Sequence, residues 1–322
     1  MSREAALARL EADAVFVHQT LPATPQYAWP LLARRAGCEV WLKHENHLPI
    51  GAFKVRGGLT YLRELRARQP EVRGVVTATR GNHGQSIPFA ARRAGIAATV
   101  VVPFGNSVEK NAAMRALGAK LVEHGRDFQE AFEHAQELAK SEELHFVPSY
   151  HEWLVRGVSS CALELLRAVP ELDVLYVPIG MGSGVCGAIR VREALGLRTR
   201  IVGVVAEQAP TVALSFAAGR PVPTQTSDTI ADGLAVRVPN AEALEAMRGG
   251  LERVLQVSEA EIRSAMRALF SDTHNAAEGA AAAAFAACLR ERESLAGKRV
   301  GVVLSGGNVD RELFARVLAE KE

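Results

Sequence analysis

Short apolar, β-branched runs alternate along the chain with longer stretches rich in Ala, Leu, Glu and Arg. The runs at 40–43, 74–78, 98–102, 121–122, 173–179, 201–206 and 299–304 predict strands. The stretches at 57–68, 86–94, 107–117, 127–142 and 157–168 predict helices. Strands apolar on both faces, with helices between them, belong to a mostly parallel sheet covered on both sides, so the fold class is α/β. Breaks at 70–73 and 148–150 set off a compact insertion of four strand–helix units. That predicts a small domain at 71–149 and a large domain from 1–70 and 150–322. The Ala-rich run 276–287 reads as a packed helix. Ligands of such sheets bind at the carboxyl ends of the strands, which is where this chain places its unusual residues.

A length of 322 residues suits two domains, and a hydrophobic fraction of 48% supplies a sizeable core. With 38 basic and 36 acidic residues the formal charge is only +2, so nothing recruits nucleic acid or an anionic membrane. Only seven of the basic residues are lysines, which makes each lysine easier to weigh. The cysteines Cys38, Cys161, Cys186 and Cys288 form no CxxC pair, and no histidine cluster has zinc-like spacing, as expected of reduced thiols. The first twenty residues carry acids and no apolar run, a helix pattern and not a secretory leader. No stretch reaches the roughly 18 to 20 apolar residues of a membrane span. The expected location is the cytoplasm.

Four segments carry candidate chemistry. In Glu45–Gly58 a loop with Pro49 and Gly51 leads to Phe53-Lys54 and a helix start. A lysine there, among apolar neighbours and at a helix's positive end, has its ammonium form disfavoured and becomes a nucleophile for an aldehyde. Taken alone, Lys54 is better read as a solvated surface lysine. In Thr77–Ser86, Gly81 and Gly84 let backbone approach a ligand closely, and free amides of a helix starting at Ser86 face an anion. There Asn82 offers a donor and His83 a titratable ring; a tight polar turn explains the segment equally well.

In Val177–Gly187, Gly180, Gly182, Gly184 and Ser183 lie between a strand and a helix predicted at 188–195. A strand, glycine loop and helix together cradle a phosphate with backbone amides. The spacing is neither GxxxxGK[ST] nor GxGxxG, so neither a P-loop nor a dinucleotide site is expected. Finally, Ser305-Gly306-Gly307-Asn308 ends a buried strand and delivers a hydroxyl to a ligand heteroatom, or is an ordinary strand-to-helix turn. Together, a reactive lysine, a phosphate loop, an anion loop and a hydroxyl match the needs of pyridoxal phosphate.

From about residue 20 to the end, the sequence resembles the threonine/serine dehydratase group of fold-type II pyridoxal phosphate enzymes, the tryptophan-synthase-β-like architecture, which also includes serine racemases. The family's GSFKxRG stands as Gly51-Ala52-Phe53-Lys54-Val55-Arg56-Gly57, and its SSGNHGQ loop as Thr79-Arg80-Gly81-Asn82-His83-Gly84-Gln85. Its tetraglycine loop is Gly180-Met181-Gly182-Ser183 followed by Gly184, its TIADGxAV segment is Thr229–Val236, and its SGGN is Ser305–Asn308.

The resemblance implies that Lys54 holds pyridoxal 5'-phosphate as a Schiff base, with Phe53 against the ring. It implies that Asn82 bonds the ring 3-oxygen, residues 180–184 hold the phosphate, and Ser305 faces the pyridine nitrogen. Ala52, Arg80, Gly81 and His83 are the expected substrate contacts. The implied reaction is β-elimination from L-threonine or L-serine, giving a 2-oxo acid and ammonia, in a homodimer. L-threo-3-phenylserine and 3-hydroxyaspartate are alternative substrates. β-Replacement of the cysteine-synthase type is the second reaction class, although its usual T-S-G-N-T loop differs from the T-R-G-N-H of residues 79–83.

Three departures stand out. Arg80 occupies the position of a serine that serves racemases of the group as second acid/base, so efficient racemisation is not expected; Arg80 itself either contacts an acidic substrate or forms a surface ion pair. Leu48, Ile50 and Ala52 replace customary polar residues, which either opens the pocket to a bulky apolar substituent or repacks the core. Glu207 is the one candidate ligand in the family's cation site, where Ala213 replaces the next, so no complete metal site is expected. The chain also stops soon after SGGN, so isoleucine feedback is not expected.

Overall fold

The structure, a computed structural model, describes residues 2–321. Its strands are β1 (Gln26–Ala28), β2 (Glu39–His44), β3 (Gly74–Ala78), β4 (Ala97–Val102), β5 (Lys120–Glu123), β6 (His145–Phe146), β7 (Val174–Pro178), β8 (Arg200–Ala206), β9 (Arg253–Val257) and β10 (Arg299–Leu304). They form a six-stranded sheet in the order β1-β2-β10-β7-β8-β9 and a four-stranded sheet in the order β5-β4-β3-β6. Every pairing is parallel except β1 with β2. The four-stranded sheet is drawn wholly from residues 74–146.

The larger sheet is covered on both faces. One face packs on helices Pro30–Ala36, Glu259–Thr273 and Gly279–Arg290, where the alanines from 280 to 287 are at most 4% exposed. The other face packs on helices Arg3–His18, Glu152–Ala168 and Ser183–Leu195. Double coverage explains why β7 and β10 read as unbroken apolar runs. Helices Lys54–Arg68 and Asn82–Ala94 cover one face of the smaller sheet, and Phe128–Ser141 the other.

The strands absent from the sequence expectation are β1, β6 and β9. All three lie at sheet edges, and most of their residues are half-buried or exposed. An edge strand has one neighbour and one wet side, so it lacks the continuous apolar signature. Helix starts also move. The predicted starts at 57, 86, 157 and 188 become Lys54, Asn82, Glu152 and Ser183. Three of these first turns hold glycine, asparagine or serine, whose low helix propensity masks the helical geometry.

A buried ionic cluster fixes the start of the Lys54–Arg68 helix. Arg56, fully buried, donates from Nε and Nη2 to Glu45 at 2.6 and 2.9 Å, and from Nη1 and Nη2 to Glu164 at 2.5 and 3.0 Å. Lys43, also buried, donates to Glu164 at 2.5 Å and to the Thr24 carbonyl at 2.6 Å. The Thr24 hydroxyl donates to Glu45 at 2.6 Å. Two cations thus meet two carboxylates. Burial alone raises the Glu164 pKa, but Arg56 and Lys43 overcome it and hold the carboxyl at about 2. Such a cluster tolerates loss of one member badly, because the rest remain buried and uncompensated. Glu164→Ala is expected to lower unfolding free energy by about 3 to 5 kcal/mol, read by urea unfolding of the cofactor-free protein; a loss below about 1 kcal/mol would contradict this.

Candidate active site

The motif residues converge on one pocket at the carboxyl ends of the strands, between the two sheets. Phe53, Lys54, Arg80, Gly81, Asn82, His83, Gly180, Met181, Gly182, Ser183, Gly184 and Ser305 all line it. Three helices, starting at Lys54, Asn82 and Ser183, begin at this wall. Their first turns carry unpaired amides and the positive ends of their dipoles, so the pocket favours anions.

Lys54 Nζ donates to Ser183 Oγ at 3.2 Å and sits 4.9 Å from the Phe53 ring centroid. Burial pushes its pKa down to about 8, while the Glu278 carboxylate pulls the other way. The amine is held by its backbone as well. The Lys54 carbonyl accepts from Ser86 Oγ at 2.6 Å, and the Phe53 amide donates to the Ser305 carbonyl at 3.0 Å. The Gly307 amide donates to the Gly51 carbonyl at 2.9 Å, and Asn308 Nδ2 donates to the Ile50 carbonyl at 2.7 Å. The SGGN turn and the lysine loop are therefore one knitted unit.

The glycine loop is shaped for a group that approaches backbone. A Cβ on Gly180 would lie 2.2 Å from the Gly233 carbonyl oxygen, and Gly182 has φ +100°. A side chain at either position collides or strains. The loop delivers the open amides of the Ser183–Leu195 helix to the pocket beside Lys54. Ser305 lines the same pocket just past the end of β10. A nucleophilic amine, a glycine cradle at a helix N-terminus and a strand-end hydroxyl fit pyridoxal phosphate.

Two functional-looking side chains escaped sequence reasoning. Glu278 accepts from Asn82 Nδ2 at 2.7 Å and from Lys110 Nζ at 3.4 Å. Lys110 Nζ also donates to Asp232 at 2.5 Å. Burial pushes the Glu278 carboxyl up, to about 7, against the pull of Lys110. Asn82 Oδ1 in turn accepts from Asn308 Nδ2 at 2.8 Å, so the Asn82 amide is oriented from both ends. The available signals were slight: Lys110 is one of few lysines, and Glu278 is the acid directly before an apolar helix. His83 is buried with no partner for Nε2, and burial and the Lys54 charge lower its pKa to about 3, so the ring is neutral.

Other expected residues lie elsewhere. Leu48 and Ile50 are buried in the core beneath the Lys54–Arg68 helix and do not line the pocket. Ala52 is fully buried, bridged through its backbone to Gly306, and is also off the pocket wall. Glu207 is half exposed and accepts from Arg290 at 3.4 Å; among the described residues no cluster of acids, histidines or cysteines could hold a metal.

The sequence matches the family described as pyridoxal-phosphate dependent enzyme over residues 17–306. It is 32% identical to an L-threonine ammonia-lyase of Thermotoga maritima over 89% of this chain and 72% of that protein. It is likewise 32% identical to an L-threo-3-hydroxyaspartate ammonia-lyase of Saccharomyces cerevisiae, over 93% of this chain and 92% of that one. A crystal structure of a pyridoxal 5'-phosphate-dependent aspartate racemase superimposes with TM-score 0.89, at 30% identity, covering 95% of this chain and 96% of that chain. A family match over most of the chain agrees with a lysine, glycine cradle and hydroxyl meeting in one pocket: this chain belongs to the pyridoxal-phosphate dependent enzymes.

Proposed function

We propose that this pyridoxal-phosphate-dependent ammonia-lyase removes water from a β-hydroxy α-amino acid, releasing a 2-oxo acid and ammonia. The observation that carries the reading is Lys54: an amine with its pKa lowered to about 8, on a pocket wall shared with the Gly180–Gly184 cradle. When bound, the cofactor supplies the electron sink that acidifies the substrate's Cα–H bond. The protein's own groups do the rest. Lys54 Nζ is placed to take the Cα proton, Asn82 and Ser305 would hold the ring heteroatoms, and the amides of residues 180–184 would hold the phosphate. The open amides of the Asn82–Ala94 helix receive the α-carboxylate. Gly81 and His83 shape the substrate's side of this wall. Loss of the β-hydroxyl as water leaves an enamine that hydrolyses to the 2-oxo acid and ammonia.

Support for substrate class comes from the ammonia-lyase relatives, one named for threonine and one for 3-hydroxyaspartate. The phenylserine alternative loses its structural motive, because Leu48 and Ile50 are core residues. In this reading residues 71–149 form the core of a small domain over the substrate, which suits the origin of the four-stranded sheet, and the Lys54–Arg68 helix, expected in the large domain, packs on that small sheet as well. No helix of the described residues is long and apolar enough to cross a membrane. Four unpaired, buried cysteines suit a reducing cytoplasm. The homodimer that the resemblance implies belongs to this reading.

Three outcomes are expected. Lys54→Ala abolishes covalent uptake of the cofactor, read as visible absorbance, and lowers 2-oxo acid formation at least about 1000-fold; retained turnover overturns the mechanism. The neutral amine is the reactive form, so uptake of pyridoxal phosphate by the apoprotein accelerates as pH rises and levels off above about 8. A rate still climbing at about pH 10 means an ordinary lysine. Arg80 lines the pocket where a racemase of the group carries a serine hydroxyl, and an arginine side chain presents only donors, so D-serine forms from L-serine at less than about 1% of the elimination rate, by chiral chromatography.

A further inference from the structure

We infer that Arg80 selects the substrate's side chain by binding a second carboxylate on Cβ, so that the preferred substrate is an acidic β-hydroxy amino acid, of which 3-hydroxyaspartate is the simplest. This rests on the β-elimination reading above and narrows its substrate class. Arg80 follows β3, one residue before the cap of the Asn82–Ala94 helix, and lines the pocket with Lys54. Its Nε is buried with no hydrogen-bond partner, and among the described residues no carboxylate pairs with its guanidinium.

The nearby charges are otherwise engaged. Lys110 holds Asp232 and Glu278, and Arg237 holds Asp127 at 2.7 Å. An unpaired, partly desolvated guanidinium is unfavourable, and its planar fork of five donors matches a carboxylate.

The α-carboxylate does not need this arginine. The Asn82–Ala94 helix opens at the same wall, and the amides of Asn82 and His83 precede its first backbone hydrogen bond, from Gly84 to the Gly81 carbonyl at 3.0 Å. The guanidinium remains for a second anion. A recess that also includes Arg80 continues past Phe128 to Arg237 and Asp127, so two arginines and one aspartate flank the approach. With Arg237 paired to Asp127 and Lys110 to Asp232 and Glu278, Arg80 is the cation of this wall left for a second substrate carboxylate. A methyl or phenyl group in the same place leaves Arg80 unpaired.

The test compares wild-type, Arg80→Met and Arg80→Lys holoenzymes on the L-3-hydroxyaspartate diastereomers, L-threonine and L-serine. The unreactive probes are succinate and butyrate, read by their perturbation of the cofactor absorbance. Wild type is expected to favour a hydroxyaspartate, and Arg80→Met to lower the ratio of its kcat/KM to that of threonine about 100-fold. Arg80→Lys keeps the charge without the fork and falls between, about tenfold down, which preserves the test should the Met variant fold poorly. Succinate, and not butyrate, loses affinity in both variants. A wild-type preference for threonine or serine overturns the inference, as do equal losses on acidic and neutral substrates, which place Arg80 on the α-carboxylate. If no β-hydroxy acid is turned over but succinate binding still depends on Arg80, the elimination reading fails and the acid site stands.

Discussion

The placement of Lys54 depends on a cluster of charges that never touches the ligand. Arg56, two residues along the same helix, is locked by Glu45 and Glu164, which also hold Lys43 and Thr24. These partners come from a loop, the strand β2 and the Glu152–Ala168 helix, so the cluster ties the lysine-bearing helix to the larger sheet. A buried ion pair adds little stability over an apolar replacement, but it tolerates only one arrangement. That makes it suited to fixing the register of a helix whose first residue must meet a ligand. The SGGN turn clamps the same helix from the other side through Phe53 and Gly51.

The pocket is an assembly of helix beginnings. Three open amide ends point inward, and the acids that face them, Asp232 and Glu278, are answered by Lys110. The helix ends and the Arg80 guanidinium are left for the phosphate and the substrate carboxylates. Glu278 does double duty by orienting Asn82, whose other end is held by Asn308. Residues from three distant parts of the chain thus set one amide's direction.

The sequence made the central strands and the ligand loops legible, because burial on both faces and glycine spacing leave local marks. β1, β6 and β9 left no such mark, since an edge strand is half wet. The helix starts at Asn82 and Ser183 were hidden because function requires residues there that helices otherwise avoid. Lys110 and Glu278 were hidden for another reason. Their meaning lies in an encounter across 168 positions of sequence, which no local pattern encodes. Leu48 and Ile50 show the converse: their chemistry was visible, but whether they faced ligand or core was decided by packing.

The alanines of Gly279–Arg290 carry a consequence for how this protein can vary. The helix lies flush against the larger sheet because its buried positions are almost all methyl groups, and Glu278 sits at its cap. The helix therefore works as a shim whose thickness sets the gap between sheet and pocket. One added methylene in that layer moves Glu278, then Asn82, without altering any residue that meets a ligand. Enlarging one of these alanines is thus a way to disturb the ligand pocket from behind.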